Sequence, residues 1–395
     1  MPGPALERFD VIVLGCGPAG GAAAHVAARL GLRTAVIDKH AFPRAKLCGG
    51  LFTGRARSYF REIFGEDLSQ DLLLEKTALE FWMQEERIAE LSGVPPMYLT
   101  MRIDLDAEIH RRAIAAGAAD FTGQRVNRLD LRGQRVELAD GRSLAYRILI
   151  GADGVNSQVA KELWGASFDR RDTAFALEVE AAVQEENTSR PLRIDFSAAR
   201  FGYGWTFPKR ASTTIGVAGI ASMNDDMKAA MQAHLDRLGA RAERGAVKGH
   251  FIPFGGYRKR PGRGEVVVCG DAAGLVDPIT GEGIAYAMKS GQLAAQVARR
   301  CLDEGMPGEA ARRLREAYRP LHRSLWLANR LRTLIFHPAF EPAFARAFRG
   351  SSLLKQRYML LLSGQSEYGD FFGAVLRRVP RFAVEVLRGA LGRAR

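Results

Sequence analysis

The chain opens with Phe9-Asp-Val-Ile-Val-Leu-Gly15, an apolar run continuous enough to predict a strand buried on both faces of a parallel sheet. An Ala-rich stretch from about Pro18 to Leu30 predicts a helix, and Arg33-Thr-Ala-Val-Ile-Asp38 predicts a second strand. Similar runs return at Arg147-Ile-Leu-Ile-Gly151 and Glu265-Val-Val-Val-Cys-Gly270, and Met101–Asp106 leads into a helix ending near Ala116. Around 170–260 the pattern changes. Leu192-Arg-Ile-Asp-Phe196 and Thr213-Thr-Ile-Gly-Val217 fit an antiparallel sheet walling one side of a substrate cavity. Further on, Trp326, Phe336, Phe340, Phe344, Phe348, Phe371, Phe372 and Phe382 recur among arginines, partly at helical spacing. Over 377–395, Val379, Phe382, Ala383, Val386 and Ala390 share one helical stripe, with Arg381, Arg388 and Arg395 on another.

The 395 residues, 47% hydrophobic and 26% charged, suffice for a packed core and two or three domains. Cys16, Cys48, Cys269 and Cys301 form no C-x-x-C pair, which argues against structural zinc, an iron–sulfur cluster or a disulfide framework and favours a reducing compartment. The seven histidines form no H-x-x-H cluster, so no metal is expected. MPGPALERFD enters a strand directly, without the regions of a secretory signal, and no run has the length of a membrane span. A cytoplasmic protein is expected, peripheral at the inner face of the membrane if its basic end binds lipid.

Charge is unevenly placed: residues 311–395 hold 17 Lys and Arg against 5 Asp and Glu, while the other 310 hold 40 against 39. Such a block suits an anionic membrane surface, a diphosphate or carboxylate substrate, or nucleic acid. A basic amphipathic helix can lie on an anionic bilayer; equally, a helical subdomain can pack its Phe side chains inward beneath a solvated Arg face. No recognition module accompanies the basic end, so no nucleic-acid partner is expected.

Gly15-Cys-Gly17-Pro-Ala19-Gly20-Gly21 is a G-x-G-x-x-G turn between the first strand and its helix, and Asp38 ends the second strand 23 positions after Gly15. The glycines permit a tight turn, approach of backbone to a pyrophosphate and helix–strand packing, and the acid can hold ribose hydroxyls. His25 reads as a packed or surface position of this helix. Two more strand ends follow, Asp153-Gly154 and Gly270-Asp271. With them the sequence resembles the flavoprotein superfamily of the p-hydroxybenzoate hydroxylase type, which implies FAD in the dinucleotide site, Asp271 on the ribityl chain and Asp153-Gly154 close to the cofactor. Gly281-Glu-Gly283-Ile284 offers backbone donors at the next helix N-terminus. Arg102 resembles the superfamily's arginine at a helix start near the cofactor, although an Arg–Asp surface pair also explains it.

A narrower resemblance rests on Phe42-Pro43-Arg44-Ala-Lys46-Leu-Cys48-Gly49-Gly50 and Tyr203-Gly-Trp205-Thr-Phe207-Pro208-Lys209. These are similar to the P-R-x-K-x-C-G-G and Y-x-W-x-F-P-K motifs of the geranylgeranyl reductase family. Where that pattern continues to G-x-G at a local turn, Gly216-Val-Ala-Gly219 has one extra spacing residue. The resemblance implies reduction of C=C bonds of a geranylgeranyl or other polyprenyl chain, with hydride from reduced FAD and a proton delivered to the neighbouring carbon in a dry pocket. It implies Cys48, Tyr203 and Trp205 as catalytic candidates, Cys48 being the proton donor, a flavin-site switch or a packing thiol. Phe207, Pro208 and Lys209 are the implied substrate contacts, and Lys46, Lys209 and Arg44 can meet a diphosphate or line the surface. The implied cofactor set is Gly15, Gly17, Ala19, Gly20, Asp38, Lys39, Lys46, Cys48, Gly49, Gly50, Arg102, Val126, Asp153, Gly154, Gly270, Asp271, Pro278, Gly281, Gly283 and Ile284.

The expected fold is α/β: a Rossmann-like FAD-binding domain (1–75, 98–165, 262–310) interleaved with an antiparallel-sheet α+β substrate domain (76–97, 166–261), then a basic helical segment (311–395). Without a second G-x-G-x-x-G domain or a close cysteine pair, NAD(P)H or a small carrier such as reduced ferredoxin is expected to dock at the flavin. The rival enzyme reading is a flavin-dependent monooxygenase or halogenase, although Tyr203-x-Trp205-x-Phe-Pro lacks the first Trp and the Ile of the halogenase W-x-W-x-I-P pattern. A rival of another class is a non-catalytic flavin-binding protein that presents prenyl lipids. The sequence does not indicate an oligomeric state.

Overall fold

A computed structural model describes residues 6–182, 187–241 and 246–370. The stripe at 377–395, with Phe371, Phe372 and Phe382, lies outside them.

The apolar runs form a parallel sheet in the spatial order Ala119–Thr122, Thr34–Asp38, Glu7–Leu14, Ser143–Gly151, Val266–Val268. Val11, Ile12, Ile148, Leu149 and Val268 are fully buried, as continuous apolar strands must be when both faces are covered. Helices Pro18–Arg29 and Ile284–Asp303 cross on this sheet with backbones touching: a Cβ on Gly291 would stand 2.0 Å from the Ala19 carbonyl oxygen. The hairpin Val126–Asp130/Arg135–Leu138 is appended to Ser143–Gly151. The order reverses between Glu7–Leu14 and Ser143–Gly151, which opens a crevice at their C-terminal ends. After the strand Val266–Val268 the chain makes a single 3-10 turn, Gly270–Ala273, because Gly274 adopts the left-handed conformation and stops it.

The second sheet runs Lys248–Pro253, Thr173–Ala181, Thr213–Ile220, Gly202–Pro208, Leu192–Asp195, Leu74–Met83, Glu86–Leu99, Leu51–Phe52. Its ladder departs from the antiparallel expectation at one place: Leu192–Asp195 pairs parallel with Leu74–Met83. The long excursion through the first sheet separates those strands, so no hairpin dictates their direction. The chain enters this sheet at Leu51–Phe52, within the stretch expected in the nucleotide domain, because Thr100 N–H donates to the Gly50 carbonyl at 2.9 Å and starts the pairing with Glu86–Leu99. Gly216 and Gly219 lie within the strand Thr213–Ile220, so the turn suggested by the family's G-x-G is not formed.

Beyond 310 come helices Ala310–Ala317, Arg319–Phe336, Glu341–Gly350 and Ser352–Ser363. Phe336, Phe344, Phe348 and Tyr358 are buried, and all four form ring contacts with Phe81 or Phe196 of the second sheet domain. The described aromatics of this segment therefore pack mainly inward, with Trp326 half exposed. Among the described residues no helix is long and apolar enough to cross a membrane.

Candidate active site

One cavity of about 720 Å³ runs from the crevice of the first sheet to the face of the second. Two helices begin on it without side-chain caps: Pro18–Arg29 behind Gly17, and Ile284–Asp303 behind Gly283. Their first-turn N–H groups and positive dipole ends suit an anion or an electron-rich ring. The glycines divide by role. Gly15 has φ +95°, and a Cβ there would lie 2.4 Å from the Ala152 carbonyl; one on Gly20 would lie 1.8 Å from the Gly15 carbonyl. These two let backbone pack on backbone. A Cβ on Gly17 would meet nothing closer than 3.7 Å, so this glycine leaves its space to the cavity.

Asp38 is held at the strand end, its Oδ2 accepting from Cys16 N–H at 2.9 Å and its Oδ1 from His40 N–H at 3.0 Å. Arg102 makes two 2.7 Å bonds to the fully buried Asp106, which Arg44 also contacts at 3.1 Å. Burial opposes the Arg102 charge, but the Asp106 carboxylate outweighs it and raises the arginine's pKa. The Arg–Asp pair thus exists, and it lines the cavity rather than the outer surface. Burial lowers the Lys46 amine, with Arg102 adding to the effect. Asp271 faces the cavity with no side-chain hydrogen bond among the described residues; burial raises its carboxyl while Lys46 and Arg102 oppose. Asp153 is committed locally, accepting from Ser157 Oγ at 2.5 Å and Gln158 N–H at 2.6 Å at the start of helix Gln158–Trp164.

The 44–50 loop connects the two sheets. Cys48 N–H donates to Glu178 Oε1 at 2.8 Å, and Cys48 Sγ accepts from Gly50 N–H at 3.4 Å. A Cβ on Gly49 would come within 3.0 Å of Phe207 and Trp205, and one on Gly50, at φ +82°, within 2.2 Å of the Thr100 carbonyl. Both glycines therefore seat the loop on the second sheet. Across that sheet, paired positions share a face: Ala176, Ala218 and Tyr203 in one row, Glu178, Gly216 and Trp205 in the next. The small residues leave space that the Trp205 indole partly fills, passing over Gly216. Leu79, Met97, Leu192 and Ile194, with Tyr358 and Leu362 from the C-terminal helices, complete an apolar arm.

Tyr203 donates its hydroxyl to the Thr280 carbonyl at 2.5 Å, and burial raises its pKa. It braces the 277–283 turn. Within that turn Asp277 accepts from Ile279 N–H, Thr280 N–H and the Tyr368 hydroxyl. Glu282 accepts from Thr53 Oγ1 and lies 3.6 Å from Arg55; burial pushes its carboxyl up to about 7 against the Arg55 charge.

The cavity gathers Gly15, Gly17, Ala19, Asp38, Lys39, Lys46, Cys48, Gly49, Gly50, Arg102, Val126, Asp153, Gly154, Asp271, Gly281, Gly283, Ile284, Tyr203, Trp205 and Phe207. Gly20 and Gly270 lie beneath it as packing positions; a Cβ on Gly270 would press the Ala19 methyl at 2.8 Å. Pro278 is buried in the braced turn and does not line the cavity. Pro208 also lies off it, and Lys209 is a buried partner of Glu180 at 3.4 Å and of Met101 Sδ at 3.2 Å, not a free cation for a diphosphate. Sequence reasoning missed Glu178, Glu282, Thr53, His250, Tyr358 and Leu362, all on the cavity. Burial drives the His250 imidazole down to about 4, with Lys46 and Arg102 adding to the effect.

The uncapped helix starts, the open face of Gly17 and the unengaged Asp271 carboxylate fit an extended dinucleotide with polyol hydroxyls. Comparison with known proteins agrees. The family model described as lycopene cyclase protein matches residues 10–365. Geranylgeranyl diphosphate reductase of Rhodobacter capsulatus is 30% identical over 328 residues, covering 76% of this chain and 78% of that protein. Menaquinone reductase of Mycobacterium tuberculosis is 29% identical over 360 residues, covering 85% and 86%. A geranylgeranyl bacteriochlorophyll reductase-like protein of Thermoplasma acidophilum has the same fold, with TM-score 0.74 over 90% of this chain and 96% of that one at 19% identity. FAD-dependent monooxygenases and halogenases share this fold too. The chain belongs to the lycopene cyclase protein family and to the geranylgeranyl reductase-like FAD-dependent oxidoreductases.

Proposed function

We propose that the protein reduces C=C bonds of a polyprenyl chain. The observation that carries this reading is the apolar arm floored by Ala176, Ala218, Tyr203 and Trp205, which is continuous with the nucleotide crevice at Cys48. Relatives named for geranylgeranyl diphosphate and for menaquinone support it, since both compounds carry polyprenyl chains.

Bound FAD supplies hydride transfer once reduced. The chain's own residues hold and shield it. Gly17 and the N-terminus of helix Pro18–Arg29 would receive the pyrophosphate, Asp38 the ribose, Asp271 the ribityl hydroxyls, and the N–H groups at Gly283 and Ile284 the ring. Leu79, Met97, Leu192 and Ile194 exclude water from an alkene that has no polar handle, so position rather than hydrogen bonding must align it. Tyr203 keeps the 277–283 turn against the arm. NAD(P)H or a reduced ferredoxin-like carrier is the proposed electron source, and an anionic membrane surface the proposed docking site of the basic C-terminal segment. Anaerobic reoxidation of the reduced holoenzyme on adding geranylgeranyl diphosphate or a geranylgeranylated lipid tests the reading; no reoxidation by any prenyl compound contradicts it.

A further inference from the structure

Reduction of an unactivated alkene by hydride needs a second hydrogen, delivered as a proton, and the cavity holds few groups placed to give one. The Tyr203 hydroxyl is spent on the Thr280 carbonyl. Asp153 is spent on a helix start and Asp38 on backbone amides. Glu282 is tied to Thr53 and Arg55. Glu178 is different. It projects from a strand in the interior of the second sheet into the apolar floor, in the same cross-strand row as Trp205 with only Gly216 between them. Only 6% of it is exposed, yet it lines the cavity, and its Oε1 accepts from the Cys48 backbone.

Resting on the polyprenyl-reductase reading, we propose that Glu178 is the proton donor of the reaction. Hydride from the reduced flavin goes to one alkene carbon, carrying two electrons. The proton of the Glu178 carboxyl goes to the neighbouring carbon as its O–H bond breaks, so the π bond becomes two C–H bonds and a carboxylate remains. Water at the cavity mouth reprotonates it.

The surroundings favour a carboxyl that keeps its proton until needed. Burial pushes Glu178 up to about 7; the Cys48 N–H, Lys209 and Lys46 pull it down, while Glu180 pushes it up. The facing groups are these: Glu180 on the same strand, Lys248 and His250 on one neighbouring strand, Gly216 and Thr214 on the other, Lys209 at the end of the next, and Lys46 and Cys48 on the loop. Lys209 is engaged with Glu180, whose Oε1 also accepts from Thr214 Oγ1 at 2.6 Å. The acid form, and with it turnover, is therefore lost as pH rises through about 7.

Glu178→Gln keeps the volume and the acceptor for Cys48 N–H but has no acidic proton. In the holoenzyme it should retain bound FAD and reduction by dithionite, while single-turnover reoxidation by geranylgeranyl diphosphate falls roughly 100-fold or more and loses its decline above neutrality. Infrared difference spectra between the resting wild-type and Gln holoenzymes should show one protonated-carboxyl band that the variant lacks and that fades in the wild type as pH rises through about 7, while the Glu282 band is common to both. Glu178→Asp, acidic but shorter, should retain the pH decline at a reduced rate. Unchanged turnover and pH profile in Glu178→Gln would overturn the proposal while leaving the prenyl reading intact, as would the absence of that difference band. A wild-type enzyme that reduces no prenyl compound would remove both.

Discussion

The Cys48 amide donates to the Glu178 carboxyl group at 2.8 Å, joining the loop that leaves the nucleotide sheet to the floor of the apolar arm. The thiol lies on the same cavity but makes a weaker contact, accepting from Gly50 N–H at 3.4 Å. Cys48→Ser keeps the amide bond and the loop. We expect it to bind FAD normally and to turn over about 10-fold more slowly, since a hydroxyl fills less space than a sulfur, with the wild-type pH decline retained. A pH decline lost in Cys48→Ser, measured by single-turnover flavin absorbance, would make the thiol the titrating donor.

Gly17 and Gly20 predict opposite outcomes for the same substitution. The Gly17→Ala methyl enters open cavity space, so the apoprotein should melt as the wild type does, while FAD affinity falls about 10-fold or more as the methyl displaces the pyrophosphate. The Gly20→Ala methyl would lie 1.8 Å from the Gly15 carbonyl, so loss of thermal stability should appear before any question of binding. Calorimetry and flavin titration of the two apoproteins distinguish them.

Glu282 couples stability to pH. Its carboxyl is raised from 4.5 to about 7, first by burial, so the folded protein holds this proton where the unfolded chain has released it. Stability from this group is complete below the unfolded value and is lost as pH rises from about 4.5 through about 7. Glu282→Gln should therefore lose less of its melting temperature between pH 5 and pH 8 than the wild type does. An equal or larger loss would contradict the burial argument.

Deleting residues 377–395 removes six of the 17 basic residues beyond 310 together with the predicted amphipathic stripe. Binding to vesicles rich in anionic lipid should weaken, and more so at low salt, where charge contributes most, while FAD stays bound. Equal vesicle binding by the truncated protein would remove the membrane proposal.

Much of the nucleotide crevice was legible because its requirements are local. Gly15, Gly17, Gly20 and Asp38 sit at fixed offsets from one strand, and that spacing can be read without knowing what packs against it. Glu178 was not legible for the opposite reason. In Ala176-Leu-Glu-Val-Glu180 the alternation resembles a strand with its glutamates turned to solvent, and only the cavity on that face buries Glu178. Tyr358 and Leu362 were missed because their helix carries no family motif and reaches the arm by tertiary packing alone. Lys209 was misread as a ligand contact because its partner Glu180 is 29 residues away and lies two strands over.

The central claim is tested most directly by single turnover without oxygen. The FAD holoenzyme is reduced with dithionite, mixed with geranylgeranyl diphosphate or a geranylgeranylated lipid, and the prenyl chain is analysed by mass spectrometry. The account predicts a gain of two hydrogens for each saturated bond, matched by flavin reoxidation. An unchanged prenyl chain, with oxygen consumed and an aromatic substrate hydroxylated or halogenated when NAD(P)H and air are supplied, would contradict it.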